Sequence, residues 1–137
     1  MKKIYISVVL GYFSLISASA IAQELKCPSM DFESFVKSYA GNVPIQKRYT
    51  ADVIEYEEAD FVENKEEKIA KKDIKFYPLM DGKRDWPKNA ELSIDHKKGS
   101  DTGIATISVP DSGYILNYHF RLRDDCWYLT RYENLVN

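Results

Sequence analysis

The chain has 137 residues, 29% of them charged and 13% aromatic, and a formal net charge of −2. That length suits one domain with a real but modest core. The acidic balance argues against a nucleic-acid partner, which needs a basic face, and offers no attraction to anionic membrane surfaces.

Residues 1–22 have the layout of a secretory signal peptide. Lys2 and Lys3 supply the positive start, an uncharged apolar run follows, and Ala20, Ile21 and Ala22 give a small-x-small cleavage site before Gln23. The run is long enough for a membrane anchor. Its serines and glycine, and Gln23 and Glu24 where a basic stop-transfer cluster would stand, argue for cleavage instead. A lipid anchor is disfavoured because charged Lys26 precedes Cys27. The start resembles a bacterial Sec signal, so residues 23–137 are expected as a single periplasmic or secreted domain with no stable membrane insertion. Loss of the two leader lysines leaves 17 basic and 21 acidic residues, a charge of −4.

Cys27 and Cys126 both survive cleavage, and an even count in an oxidising compartment predicts a disulfide. Two free thiols or a metal pair is the competing reading, but two distant cysteines without CxxC spacing are a poor metal signature.

In chain order, "SMDFESFVKSYAGN" predicts a helix. Asp31 or Ser29 caps it, Phe32, Phe35, Val36 and Tyr39 form one apolar stripe, and Gly41, Asn42 and Pro44 end it. "QKRYTADVIEYEE" has strand-like spacing. Residues 55–73 hold eight acidic residues and four lysines. They read as a solvated loop or short surface helix, with Glu67 and Lys71 in helical i, i+4 relation. The sharper reading is an acidic face for a basic partner, made of Glu55, Glu57, Glu58, Asp60, Glu63, Glu66 and Glu67. "DIKFYPLMDG" predicts a short strand ending at Pro78, and "DWPKN" a turn anchored by Trp86. "ELSIDHKK", "IATISV", "YILNYHFRLR" and "CWYLTRYENLV" follow as strands joined by turns. In the third of them Tyr114, Leu116, Tyr118, Phe120 and Leu122 share one face, and Asn117, His119 and Arg121 the other. The expected class is α+β, an N-terminal helix packed on a curved, mostly antiparallel sheet.

"FESFVKSYAGNVPIQKRY", "IKFYPL" and "YHFRLRDDCWYLTRY" resemble the nuclear transport factor 2-like superfamily, in particular its small secreted bacterial members of unknown function. Gln46 and Arg48 match a "Q-x-R" element after the first helix, and Phe120, Asp124, Asp125, Trp127 and Leu129 match the strand pair that closes a cone-shaped sheet. The resemblance departs at residues 60–72 and in having one N-terminal helical segment. It implies a cone whose interior Tyr114, Tyr118, Phe120 and Trp127 would line. The superfamily includes isomerases and dehydratases with an acidic base and tyrosines in the cone, but spacing alone brings no Asp–Tyr pair together here, and fold does not confer activity.

The residues carry no chemical signature. His96 follows Asp95, but strand neighbours point to opposite faces, so the two form no dyad. No nucleophile elbow, zinc-protease motif or phosphate loop is present, and residues 81–85, "DGKRD", lack calcium-loop spacing. No catalytic residue, metal or cofactor is expected. The sequence predicts a protein-binding module, of the inhibitor or immunity type, neutralising a basic toxin or hydrolase through its acidic stretch. The alternatives are a small-ligand carrier using the cone, with isomerase or hydrolase activity a lesser variant, and a homodimeric envelope protein.

Overall fold

The computed structural model describes residues 26–80 and 89–136. The leader, residues 81–85 and Trp86 lie outside the described residues. α1 (Phe32–Gly41) begins where Asp31 Oδ2 accepts the Ser34 amide at 2.9 Å. Its apolar stripe of Phe32, Phe35, Val36, Tyr39 and Ala40 is buried. Asn42 then takes an extended conformation (φ −132°, ψ 106°) and ends the helix.

The chain does not pass directly into a strand. A second helix, α2 (Val43–Arg48), follows, because Asn42 Oδ1 caps it at the Ile45 amide and Pro44 sits in its first turn. Proline's missing N–H has no partner to lose there. Gln46 and Arg48, expected in extended chain, are therefore helical.

β1 (Thr50–Ala59) and β2 (Asn64–Ala70) form an antiparallel hairpin, followed by a 3₁₀ turn at Lys71–Asp73. This corrects the expected loop or helix over residues 55–73. Two-residue alternation wins: Ile54 pairs with Ile69 on the inner face, and Tyr56 continues that face. Glu67 and Lys71 thus do not share a helix. Residues 74–78, expected as a strand, join no ladder. They are tied instead to the helices, Gln46 Nε2 donating to Tyr77 O at 2.9 Å and the Leu79 amide to Ala40 O at 2.7 Å.

β3 (Glu91–Asp95), β4 (Thr102–Val109), β5 (Tyr114–Arg123) and β6 (Cys126–Val136) complete a six-stranded sheet in the order β2-β1-β6-β5-β4-β3. Every pairing is antiparallel except β1 with β6, so the sheet is mixed. Asp124 and Asp125 both take positive φ (47° and 61°) between β5 and β6, as a tight primed turn requires. The register shifts between His119 and Phe120, where Thr130 is the extra residue on β6, and again between Thr50 and Glu55 on β1. Such irregularities bend strands, and the curved sheet wraps the helices on its inner face.

Cys27 and Cys126 are joined, Cα atoms 5.7 Å apart, tying the segment before α1 to the start of β6. Beside the bridge, Trp127 Nε1 donates to Met30 O at 2.8 Å. Among the described residues no helix is long and apolar enough to cross a membrane.

Candidate functional site

The inner face of the sheet divides into a filled end and an open end. At the filled end Phe32 lies 4.7 Å from Trp127 and 5.7 Å from Phe120, ring centre to ring centre, and Tyr39 lies 5.0 Å from Phe120. Phe120 and Trp127 are each 2% exposed. These two expected cavity residues are packing residues. Alternation in β5 put Phe120 on the correct face, but the one-letter pattern does not say that α1 presses Phe32, Phe35 and Tyr39 onto it. Tyr114 is half-buried against the core and is not on the cavity wall.

Where that aromatic packing stops, a cavity of about 290 Å³ begins. Its floor is Ile54 and Tyr56 of β1, Ile69 of β2, Tyr118 of β5, and Leu129 and Tyr132 of β6. The non-ladder segment after the 3₁₀ turn, with Ile74, Phe76, Tyr77 and Leu79, forms the opposite wall, and Tyr39 and Gln46 close the helical side. Of the four residues expected to line the cone, Tyr118 does so.

The polar groups of this cavity are mostly phenols. The Tyr118 and Tyr132 rings lie 4.9 Å apart and their hydroxyls hydrogen bond, while Tyr56 stacks on Tyr132 at 5.7 Å. Burial, reinforced by neighbouring phenols, pushes the Tyr132 hydroxyl far up, and burial does the same to Tyr39 against the opposing hydrogen bond to Thr50. Both stay neutral at physiological pH and act as hydrogen-bonding groups. Burial also raises Tyr56. Asp73 and Lys75, both exposed, bring the cavity's carboxylate and ammonium to its rim. Sequence reasoning missed most of this lining, Ile54, Tyr56, Ile69, Ile74, Tyr77, Leu129 and Tyr132 among it. The signal available was the "VIEYEE" alternation, which carries Ile54 and Tyr56 on one face.

The acidic stretch divides between two faces. Glu55 and Glu57 point to the outer face, where Arg131 reaches both: its Nη1 is 3.5 Å from Glu55 Oε2 and its Nη2 makes a close pair with Glu57. Arg131 Nε also donates to Glu133 Oε1 at 2.8 Å. Glu133 Oε2 accepts from Asn117 Nδ2 at 2.9 Å and lies 3.0 Å from His119 Nε2. Thr106 Oγ1 donates to Asn117 Oδ1 at 2.8 Å, so the polar row spans β4, β5, β6 and β1. Burial alone would raise the Glu133 carboxyl, but the His119 ring beside it and the hydrogen bonds from Asn117 and Arg131 reverse that and hold it below its ordinary value. His119 is thus a member of this row on the outer face, remote from the phenols. Glu58 faces inward opposite Lys65, and Glu67 pairs with Lys65 at 3.1 Å. Asp60 and Glu63 flank the β1–β2 turn, and Glu66 lies opposite Glu57. Among the described residues no three His, Cys, Asp or Glu side chains form a metal site.

No family model matches the chain, and no curated protein matches it. Among solved structures it is similar to an NTF2-like protein from Bacteroides fragilis, with a TM-score of 0.55 and 14% identity. The match covers 80% of this chain and 49% of that one, so this chain spans about half its length. The fold is therefore NTF2-like, a cone-shaped α+β architecture.

Proposed function

We propose that this chain is an exported NTF2-like carrier whose cone holds a small, largely apolar ligand. The observation that carries the reading is the cavity: apolar isoleucines and leucines on two walls, converging phenols on the floor and, among the described residues, no carboxylate, ammonium or imidazole at its depth. Its 290 Å³ lies at the small end of ligand sites, which run roughly 300–1,000 Å³. Neutral phenols suit a ligand with one hydroxyl or carbonyl, oriented by a hydrogen bond inside an apolar shell. Catalysis would need a general base within reach of the ligand, and the carboxylate on the lining, Asp73, stands at the exposed rim. Carriage is the simpler use. The inhibitor or immunity reading fits less well, because the carboxylates meant for a toxin or hydrolase are divided between two faces and partly paired.

The test uses 2-naphthol as probe, followed by calorimetry and by chemical-shift changes. Wild-type protein is expected to bind it with shifts at Tyr118 and Tyr132. Ile54→Trp, or the milder Ile69→Phe, fills the cavity and should weaken binding at least tenfold. Val53→Trp, on the exposed outer face, should not. Equal binding by the filled variants, or shifts confined to the outer face, would refute the reading. Native mass spectrometry of protein purified from its own cells then identifies the resident molecule.

A further inference from the structure

The turn between β1 and β2 breaks the usual rule for a hairpin end. Its residues are Asp60, Phe61, Val62 and Glu63, and the two at the tip are apolar: Phe61 is 80% exposed and Val62 86%. Among the described residues, the other exposed large hydrophobic side chains reach at most 60%. The tip is also held in shape. Asp60 Oδ1 accepts the Val62 and Glu63 amides at 2.7 and 2.8 Å, and the Asp60 amide donates to Glu63 O at 3.0 Å. β6 runs beside β1 up to the pairing of Ala59 with Leu135, so the turn extends past the end of the sheet. Between residues 57 and 67 there are six carboxylates and one lysine. Arg131 takes Glu57 and Lys65 takes Glu67, which leaves Glu58, Asp60, Glu63 and Glu66 without an ion pair among the described residues.

We propose that this tip is a docking wedge for a protein partner that presents an apolar pocket rimmed by lysine or arginine. The inference is independent of the cavity, which lies on the inner face of the sheet. An aromatic side chain on a rigid turn makes an efficient anchor, because little conformational freedom is lost when it enters a pocket. Folding gains nothing from two exposed apolar side chains here; serine would close the same turn. The surrounding carboxylates select the partner's charge and speed the encounter. They also disfavour an anionic bilayer, which would repel them. A second copy of this chain fits poorly, since the rim of its own apolar cavity sets Asp73 against Lys75.

The experiment places p-benzoylphenylalanine at position 61, with position 53 as control, and irradiates the producing cells. A single heterologous protein crosslinked at 61 and not at 53 is then purified and its affinity measured. Phe61→Ser with Val62→Ser should weaken binding by 30-fold or more without changing the melting temperature. Glu63→Lys with Glu66→Lys should slow association about tenfold, and glutamates placed at the partner's basic rim should restore the rate. Ile54→Trp should leave this affinity unchanged, which separates the wedge from the ligand site. The proposal is overturned if no adduct forms, if the adduct is a second copy of this chain, or if the serine variants bind like wild type. It is also overturned if Phe61-dependent binding is found only to phosphatidylglycerol or phosphatidylcholine vesicles.

Discussion

Tyr39, Thr50 and Gln46 form a buried hydrogen-bonded chain whose energetics can be worked from the geometry. Thr50 Oγ1 donates to Gln46 O at 2.8 Å, so at the 2.7 Å contact between the hydroxyls Tyr39 must be the donor. All three residues are at most 2% exposed, so water cannot replace a lost partner. Thr50→Val keeps the shape but orphans the phenol and the Gln46 carbonyl, a loss of about 2–3 kcal/mol. Tyr39→Phe removes the phenol and leaves Thr50 donating as before, at a cost of about 1 kcal/mol. In the double variant only the carbonyl is orphaned, so its loss should be about 2 kcal/mol rather than the sum of the two. Urea unfolding with the disulfide intact, followed by tryptophan fluorescence, gives the cycle. Additivity within about 0.5 kcal/mol would refute the reasoning. The same variant bears on the cavity: the Tyr39 hydroxyl is already engaged, so Tyr39→Phe should change 2-naphthol affinity by less than about twofold.

Three further outcomes are expected. At Gly103 an added Cβ would sit 2.5 Å from Phe32 Cε1 and Cζ, well inside carbon–carbon contact, and Phe32 is wedged against Trp127. Gly103→Ala should therefore cost about 1–3 kcal/mol, relieved by Phe32→Leu in the same chain; a change under about 0.5 kcal/mol would refute the clash. The bridge between Cys27 and Cys126 spans a sequence separation of 99, for which chain entropy gives a ceiling of about 4.7 kcal/mol. Paired replacement by serine should lower the urea midpoint, and an unchanged midpoint would show that the bridge does not constrain the unfolded chain. Glu133 binds its proton less readily in the folded protein than in the unfolded one, so its contribution is complete above its ordinary value of 4.5 and is lost as pH falls through the lower folded value. Glu133→Gln should flatten that acid limb of melting temperature against pH, and a parallel curve would exclude this linkage.

The elements most legible in the sequence are those whose local signals agree with their tertiary use. The α1 stripe from Phe32 to Tyr39, the β5 alternation and the disulfide all belong to this class. Alternation in β5 also placed His119 away from the core face. The errors cluster where tertiary context decides. Pro44 reads as a stop from one side and as a helix start from the other, and the Asn42 cap selects the second. The charged β1–β2 hairpin has few apolar residues because β2 is an edge strand, its outer side chains left to solvent, where lysines and glutamates discourage further pairing. Read without that context, it passes for a loop. The cavity was legible only as a fold-level expectation, since its far wall is residues 74–79, a segment with no ladder of its own that is held by single hydrogen bonds to α1 and α2. Such a wall leaves no periodicity in the sequence. The acidic composition, by contrast, was plain in the sequence but its geometry was not. Alternation sends Glu57 outward to Arg131 and Glu67 inward to Lys65, and this division leaves Glu58, Asp60, Glu63 and Glu66 around the turn without an ion pair among the described residues. A charge count therefore marked the segment as acidic, and only strand pairing shows that it is a hairpin and which of its carboxylates are ion-paired.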